Sequence, residues 1–276
     1  MTLTEIEQLL ADYRRHTLHE MPEDRLPFEI EDRVVGSVSL PDAQLLSTQV
    51  PGVELSDDAL SILPICAPDA PAVLQAMALV LRDNGRSNRW RDEDLPVCAD
   101  DGTLMGKVER GCSRPLGIRT FAVHLIGCVE QPGQAQSFWL QRRAPDKDVD
   151  PGMLDTLAGG LVGMNEQGNA MEAFVPALAR EVEEEAGLTR EQYAPPVRVG
   201  SWRIQAPVEG GYMVEDLLVW RAAVNPGCVP ANQDGEVSEF LLLTRDELVT
   251  RLRHKELTRE ASIASLMCLK ELATSL

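Results

Sequence analysis

A chain of 276 residues, 44% hydrophobic and 25% charged, has the make-up of a globular protein and the length of one large or two ordinary domains. Its 44 acids against 26 bases leave a net charge of −18, and so acidic a body repels the phosphate backbone, which excludes a general nucleic-acid partner. A small anionic ligand is not excluded, because a bound cation or a local arginine cluster reverses the sign at one place.

In chain order, residues 4–19 read as an amphipathic helix, with Ile6, Leu9, Leu10 and Tyr13 at helical spacing. RVVGSVSL has strand character, and residues 48–63 are mixed and loop-rich. APAVLQAMALVLRDNG predicts a helix, with Asp69 as its N-cap, Pro71 near its start and Gly85 past its end. RSNRWRDEDLPVC reads as a loop entering a strand. RTFAVHLIGCVE and QSFWLQRRA are two strands, and QPGQA between them is a turn signal. The Gly-rich APDKDVDPGMLDTLAGGLVG is loop with a short strand, in which Asp155 is placed to order the glycines through backbone bonds. VPALAREVEEEAGL is a helix, since Pro176 suits a first turn and Gly187 a C-terminal stop. PVRVGSWRIQAP and YMVEDLLVWRAAV are strands, EFLLLTRDELVTRLRHK begins as a strand and becomes a helix, and residues 258–274 form a last amphipathic helix. The change of texture near residue 118 predicts two domains, 1–118 (α+β) and 119–276 (α/β).

Cysteines 66, 98, 112, 128, 228 and 268 never form a CxxC pair, so reduced and mostly buried thiols are expected. The start MTLTEIEQLL is acidic where a signal peptide is basic, and the apolar run AVLQAMALVL is short for a bilayer. A cytoplasmic protein without a membrane partner is the expectation.

The most informative stretch is AREVEEEAGL, which crowds Glu181, Glu183, Glu184 and Glu185 together. At about 100° per residue, Glu184 and Glu185 lie at about 300° and about 40° from Glu181, so these acids share a face while Glu183 points away. Two carboxylates about 4 Å apart repel by roughly 4 kcal/mol at an effective dielectric of about 20. A hard divalent cation such as Mg²⁺ resolves that conflict. The ordinary alternative is a solvated acidic helix face.

The spacing is tighter than such a face requires. REVEEEAGL fits Arg, Glu, apolar, any, Glu, Glu, any, Gly, apolar, and Glu172 stands eight residues before Arg180. That pattern is the core of the Nudix box, and the chain resembles the Nudix hydrolase family (MutT-like) over residues 120–255. The resemblance implies an α/β/α sandwich with a mixed sheet, preceded here by the smaller α+β domain. It also implies a pyrophosphohydrolase that takes a small diphosphate substrate and Mg²⁺ or Mn²⁺. Carried over, Glu181, Glu184 and Glu185 bind the metal, Arg180 orients the carboxylates, and Glu172 completes the box. One departure is visible: the glycine expected six residues before Glu172 is Glu166, and Gly159–Gly160 is its counterpart, so about six residues (GMNEQG or nearby) are inserted. The upstream segments NRWRDEDLPVC, VERGCSRPLGIRTFAVHLIG and WLQRRAPDKDVDPGMLDTLAGG look like Nudix proteins related to the Nudix half of some thiamine pyrophosphokinases. That similarity, over residues 20–255, implies an extra domain ahead of the Nudix fold and a substrate such as thiamine diphosphate or a damaged form of it.

Other residues divide between site and scaffold. Arg142 suits a diphosphate clamp, whereas Arg143 reads as a solvated strand end. Trp90 offers a ring for stacking, and with Arg91 and Arg114 it is the candidate contribution of the N-terminal domain to the cleft. Glu236 and Glu239, near the start of a strand, are candidates for the further carboxylate that such enzymes take as ligand or general base. His124 reads as a sheet histidine. Rival readings are hydrolysis of ADP-ribose or a nucleotide sugar, a non-catalytic ligand sensor on the same fold, and an isopentenyl diphosphate isomerase, for which Cys128 is the only suitably placed cysteine. A homodimer stays open.

Overall fold

The computed structural model describes residues 1–129 and 136–274, so the expected QPGQA turn lies outside the described residues. The chain opens with helix α1 (Leu3–Thr17), started by a capping box between Thr2 and Glu5. Strands β1 (Arg25–Ile30), β2 (Arg33–Ser39), β3 (Val53–Leu55) and β4 (Leu60–Ile62) follow, with helix α2 (Leu40–Gln49) between β2 and β3. These four strands form one sheet in the order β2-β1-β4-β3. The sequence reading missed α2. Its start was legible in Ser39, whose hydroxyl accepts from the Asp42 N–H, and in Pro41 in the first turn. Helix α3 (Ala70–Asp83) does start after Asp69, but the Asp69 side chain makes no capping bond. Together with the 3₁₀ turn before it, α3 spans Pro64–Asp83, which by length and composition alone could cross a bilayer, a correction to the reading of that run as too short. Here Leu74, Met77, Ala78 and Leu81 lie in the core beneath the first sheet.

A hairpin, β5 (Asp94–Cys98) and β6 (Leu104–Glu109), leads to the second sheet. That sheet comprises β7 (Arg119–Val129), β8 (Ser137–Arg143), β9 (Leu154–Asp155), β10 (Ala158–Leu161), β11 (Val197–Val208), β12 (Gly211–Ala223) and β13 (Val237–Thr244). Its main order is β11-β12-β7-β8-β13, with β10 paired to β7 and β9 to β8. Only β12 and β7 run parallel, so the sheet is mixed. Three helices complete the chain: α4 (Phe174–Ala186), α5 (Arg245–Arg253) and α6 (Arg259–Thr274).

Side chains of a strand point alternately to its two faces. Along β7, Phe121, Val123 and Leu125 join the core under α4, while Ala122, Ile126 and Cys128 join the core under α6. That alternation produces the three layers of the sandwich. The first helix departs from a single division near residue 118: Ile6 and Leu10 of α1 are buried in the α6-side core, not with the N-terminal sheet. All six cysteines are free thiols, and four are buried.

Candidate active site

Helix α4 carries the acidic string. It takes Pro176 in its first turn and ends at Gly187, whose φ of 62° is the left-handed conformation that glycine adopts without penalty. The helix packs across β10 and β7, which brings its acids over the glycine pair. The Gly159 N–H donates to Glu185 Oε2 at 2.9 Å. A Cβ on Gly160 would lie 2.2 Å from the Glu181 carboxyl carbon, and one on Gly159 would lie 2.7 Å from His124 Nδ1. An added Cβ would therefore push the Glu181 carboxylate or the His124 ring aside, so both positions favour glycine.

The three acids fan from solvent to sheet, as helical spacing dictates. The Glu184 side chain is 51% exposed, that of Glu181 13%, and Glu185 as a residue is 4% exposed. Arg180 gathers the acids: its guanidinium donates to Glu181 at 2.8 Å, to Glu184 at 3.1 Å and to Glu172 at 3.1 Å. Glu172 thus reaches the site despite the insertion. The extra residues form a loop closed at its base by Glu172 N–H donating to the Gly163 carbonyl at 3.0 Å and Asn165 N–H to the Ala170 carbonyl at 2.8 Å. The inserted length is absorbed outside the box.

Positive charge is scarce here. Burial pushes the Glu181 carboxyl up to about 7, with Arg180 opposing and Glu184 adding to the rise. Burial also pushes Glu185 up to about 8, against the lowering effect of the Gly159 N–H. Among the described residues Glu185 has no cationic partner; Gln141 Nε2 donates to it at 3.0 Å. One guanidinium serves three carboxylates, and burial would lower the Arg180 pKa, yet those neighbours raise it. Among the described residues, no three His, Cys, Asp or Glu side chains converge as a finished metal centre. Without a cation, Arg180 takes Glu181 and Glu184 while Gly159 and Gln141 hold Glu185. The donor chemistry still fits a hard divalent cation, because the oxygens are crowded and short of positive charge.

The N-terminal half walls this site. Asp94 at the start of β5 accepts from the Met164 N–H at 3.3 Å, and Glu93 beside it adds to the charge felt by Glu181. Arg110 donates to Glu93 at 2.7 Å. A cleft of about 330 Å³ opens between the halves, with Arg110, Arg114 and Ser113 on one wall and Thr120, Leu161, Met213 and Glu215 on the other.

A model of the NUDIX domain matches residues 119–264, more than half of the 276-residue chain. The chain belongs to the Nudix family. It is 33% identical to Nudix hydrolase 20, chloroplastic, of Arabidopsis thaliana over 59% of this chain and 42% of that protein. It is 35% identical to the uncharacterized Nudix hydrolase YfcD of Salmonella typhi over 60% of this chain and 77% of that protein. The chain thus spans less than half the length of the Arabidopsis relative. Among solved structures, DR0079 from Deinococcus radiodurans is 21% identical with a TM-score of 0.44, covering 66% of this chain and 99% of that one.

Around the Nudix box the remaining expectations separate. Arg114 and Arg91 line the cleft between the halves, whose lining includes no residue of the box. Trp90 is not among the cleft residues: its Nε1 donates to Asp92 at 2.7 Å and the Arg82 guanidinium lies 4.8 Å from its ring, so it packs on its own half. Arg142 and Glu239 face each other across β8 and β13 and form an ion pair, while Arg142 also donates to the Gly152 carbonyl at 2.9 Å. Strand register gives them to each other, a correction to the readings of Arg142 as clamp and Glu239 as base. Glu236 is bound by Lys147; burial alone would raise its pKa, and the ammonium holds it below the usual range. Arg143 is no solvated strand end, since it donates to Asp155 at 3.0 Å. Asp155 in turn accepts from the Thr156 N–H at 2.8 Å, just before the glycines. His124 is buried and bonded to the Thr156 hydroxyl at 3.0 Å, a sheet histidine whose pKa burial lowers. Sequence reasoning missed Gln141, Glu93, Arg110 and Glu215. Glu215 carried a usable signal, an acid at the apolar phase of YMVEDLLVW.

Proposed function

We propose that this chain hydrolyses the diphosphate bond of a small metabolite with Mg²⁺ or Mn²⁺ held by Glu181, Glu184 and Glu185. The carrying observation is the Arg180 guanidinium gathering Glu172, Glu181 and Glu184 over a glycine pair against which Glu181 closely packs. When bound, the cation neutralises charge on the phosphate oxygens and lowers the pKa of water. The chain's own residues do the rest. Gly159 and Gly160 let the backbone close onto the carboxylates. Arg180 holds Glu181 and Glu184 at fixed distances, so that they approach a cation from one side. Glu236 is the remaining candidate to take a proton from the attacking water, and its pairing with Lys147, which lowers its pKa, weakens it as a base.

The substrate reading is thiamine diphosphate or an oxidised analogue, with ADP-ribose or a nucleotide sugar as the rival. Six free thiols support a reducing, cytoplasmic location. A hydrolysis screen with each metal, using thiamine diphosphate, its oxidised analogues, ADP-ribose and nucleoside triphosphates, tests the reading. Metal-dependent release from thiamine compounds above the others is expected. No turnover of any diphosphate with either metal refutes it.

A further inference from the structure

A buried amide on β8 stands against the acids of the box. Along β8, Phe138 and Leu140 join the core under α6 and Trp139 joins the core under α4, so alternation turns Gln141 toward α4 as well. Gln141 is 2% exposed. Its Nε2 donates to Glu185 Oε2 at 3.0 Å, and the Gly159 N–H donates to that same oxygen at 2.9 Å. Two donors therefore fix one oxygen of Glu185. Among the described residues, no hydrogen bond ends on the other.

The other end of the amide is an orphan. Gln141 Oε1 is buried and has no hydrogen-bond partner among the described residues. A buried carbonyl oxygen without a partner is unfavourable, and native interiors seldom keep one. Both ends of an amide hang on one carbon, so this oxygen also sits beside the Glu185 carboxylate. Turning the amide over would set its oxygen against an ionised Glu185. Arg143, two residues on along the same face, gives its guanidinium to Asp155 at 3.0 Å and does not supply the missing charge. Trp139 Nε1, two residues earlier, is a second orphan on that face, but a donor has nothing to offer a cation.

We propose that Gln141 is a positioning residue of the metal site: its N–H holds Glu185 by one oxygen, and its own oxygen accepts from a water on the bound cation. The inference rests on the reading of Glu185 as a metal ligand and adds to it a residue outside the box. A hydrogen-bond partner of this kind orients the ligating carboxylate before the cation arrives, and its loss lowers metal affinity by about 10- to 100-fold. The ordinary alternative is a polar core residue that shares a trapped water with Trp139.

Mn²⁺ binding to the metal-free, full-length protein separates the two, read by the electron paramagnetic resonance of free Mn²⁺ beside the melting temperature without metal. Gln141→Met keeps the length and removes both polar ends. Its Mn²⁺ affinity should fall about ten-fold or more, while the metal-free melting temperature holds or rises because a buried orphan is gone. Gln141→Asn, which draws the amide back by one methylene, should show the same loss of affinity and serves if Gln141→Met does not fold. Mn²⁺ affinity equal to wild type in both variants, or a change in melting temperature alone, overturns the proposal, as does a wild type that binds no Mn²⁺. If Glu184→Gln loses Mn²⁺ while Gln141→Met keeps it, the metal reading survives and this inference falls. Mn²⁺ binding that needs Gln141, in a protein with an empty hydrolysis screen, refutes the diphosphatase reading and leaves this one standing.

Discussion

Gly160→Ala separates the function of the box from the stability of the fold. The added Cβ would lie 2.2 Å from the Glu181 carboxyl carbon and 2.3 and 2.4 Å from its oxygens, where ordinary contact begins at 3.4 Å. The carboxylate must retreat by more than an ångström. It is the end of a flexible side chain, so the fold yields locally, at about 1–3 kcal/mol for overpacking. The displaced group is one that Arg180 holds at 2.8 Å and that is to bind the metal. A misplacement of about 1 Å in a reacting geometry costs on the order of 10²-fold in rate. The expected result is a melting temperature a few degrees lower and a kcat/KM at least about a hundred-fold lower against the substrate found in the screen. Thermal denaturation and steady-state kinetics on the same preparation measure both. A Gly160→Ala protein with the wild-type kcat/KM would show that Glu181 takes no part in the reaction.

Glu184→Gln keeps shape and removes charge from a side chain that is 51% exposed, so turnover should fall by orders of magnitude with little change in melting temperature; wild-type turnover would remove Glu184 from the metal set. Melting temperature should rise with millimolar Mg²⁺ or Mn²⁺ in a concentration-dependent way, by mass action on a charge-starved site, and a flat response would count against binding without substrate. Glu215 sets a pH dependence of stability. Its folded pKa of about 7 exceeds the unfolded 4.5, so its contribution favours folding below pH 4.5 and is lost as pH rises through about 7. Wild type should therefore lose stability relative to Glu215→Gln across that window, by on the order of 3 kcal/mol at most, in denaturant titrations at several pH values; parallel curves would contradict the burial. Arg142→Ala and Glu239→Ala should each leave kcat/KM within about two-fold, because the two residues form a cross-strand pair worth about 1 kcal/mol or less, and a large loss would restore the clamp reading.

Much of the Nudix site was present in the sequence because it is local. Pro176 and Gly187 bound α4, and the periodicity of REVEEE by itself set Glu184 outward, Glu185 inward and Glu181 between them. Arg180 reaches Glu184 within one helical turn. What the sequence could not settle depends on which strands lie side by side. Gly160 sets the position of the Glu181 carboxylate because β10, hydrogen-bonded to β7, passes directly under Glu181. Arg142 is occupied because the register of β8 and β13 sets Glu239 opposite it, and a slip of one residue would have turned it to the other face. The first helix packs on α6, at the other end of the chain, through Ile6 and Leu10, contacts with no local signal. Glu215 became part of a cleft only when β12 came beside β7 and the arginines of the N-terminal half closed over it. Hydrogen bonds within a helical turn are fixed by neighbours in the chain. Contacts between sheet, helix and domain are fixed by register and topology, and those exist only in the folded molecule.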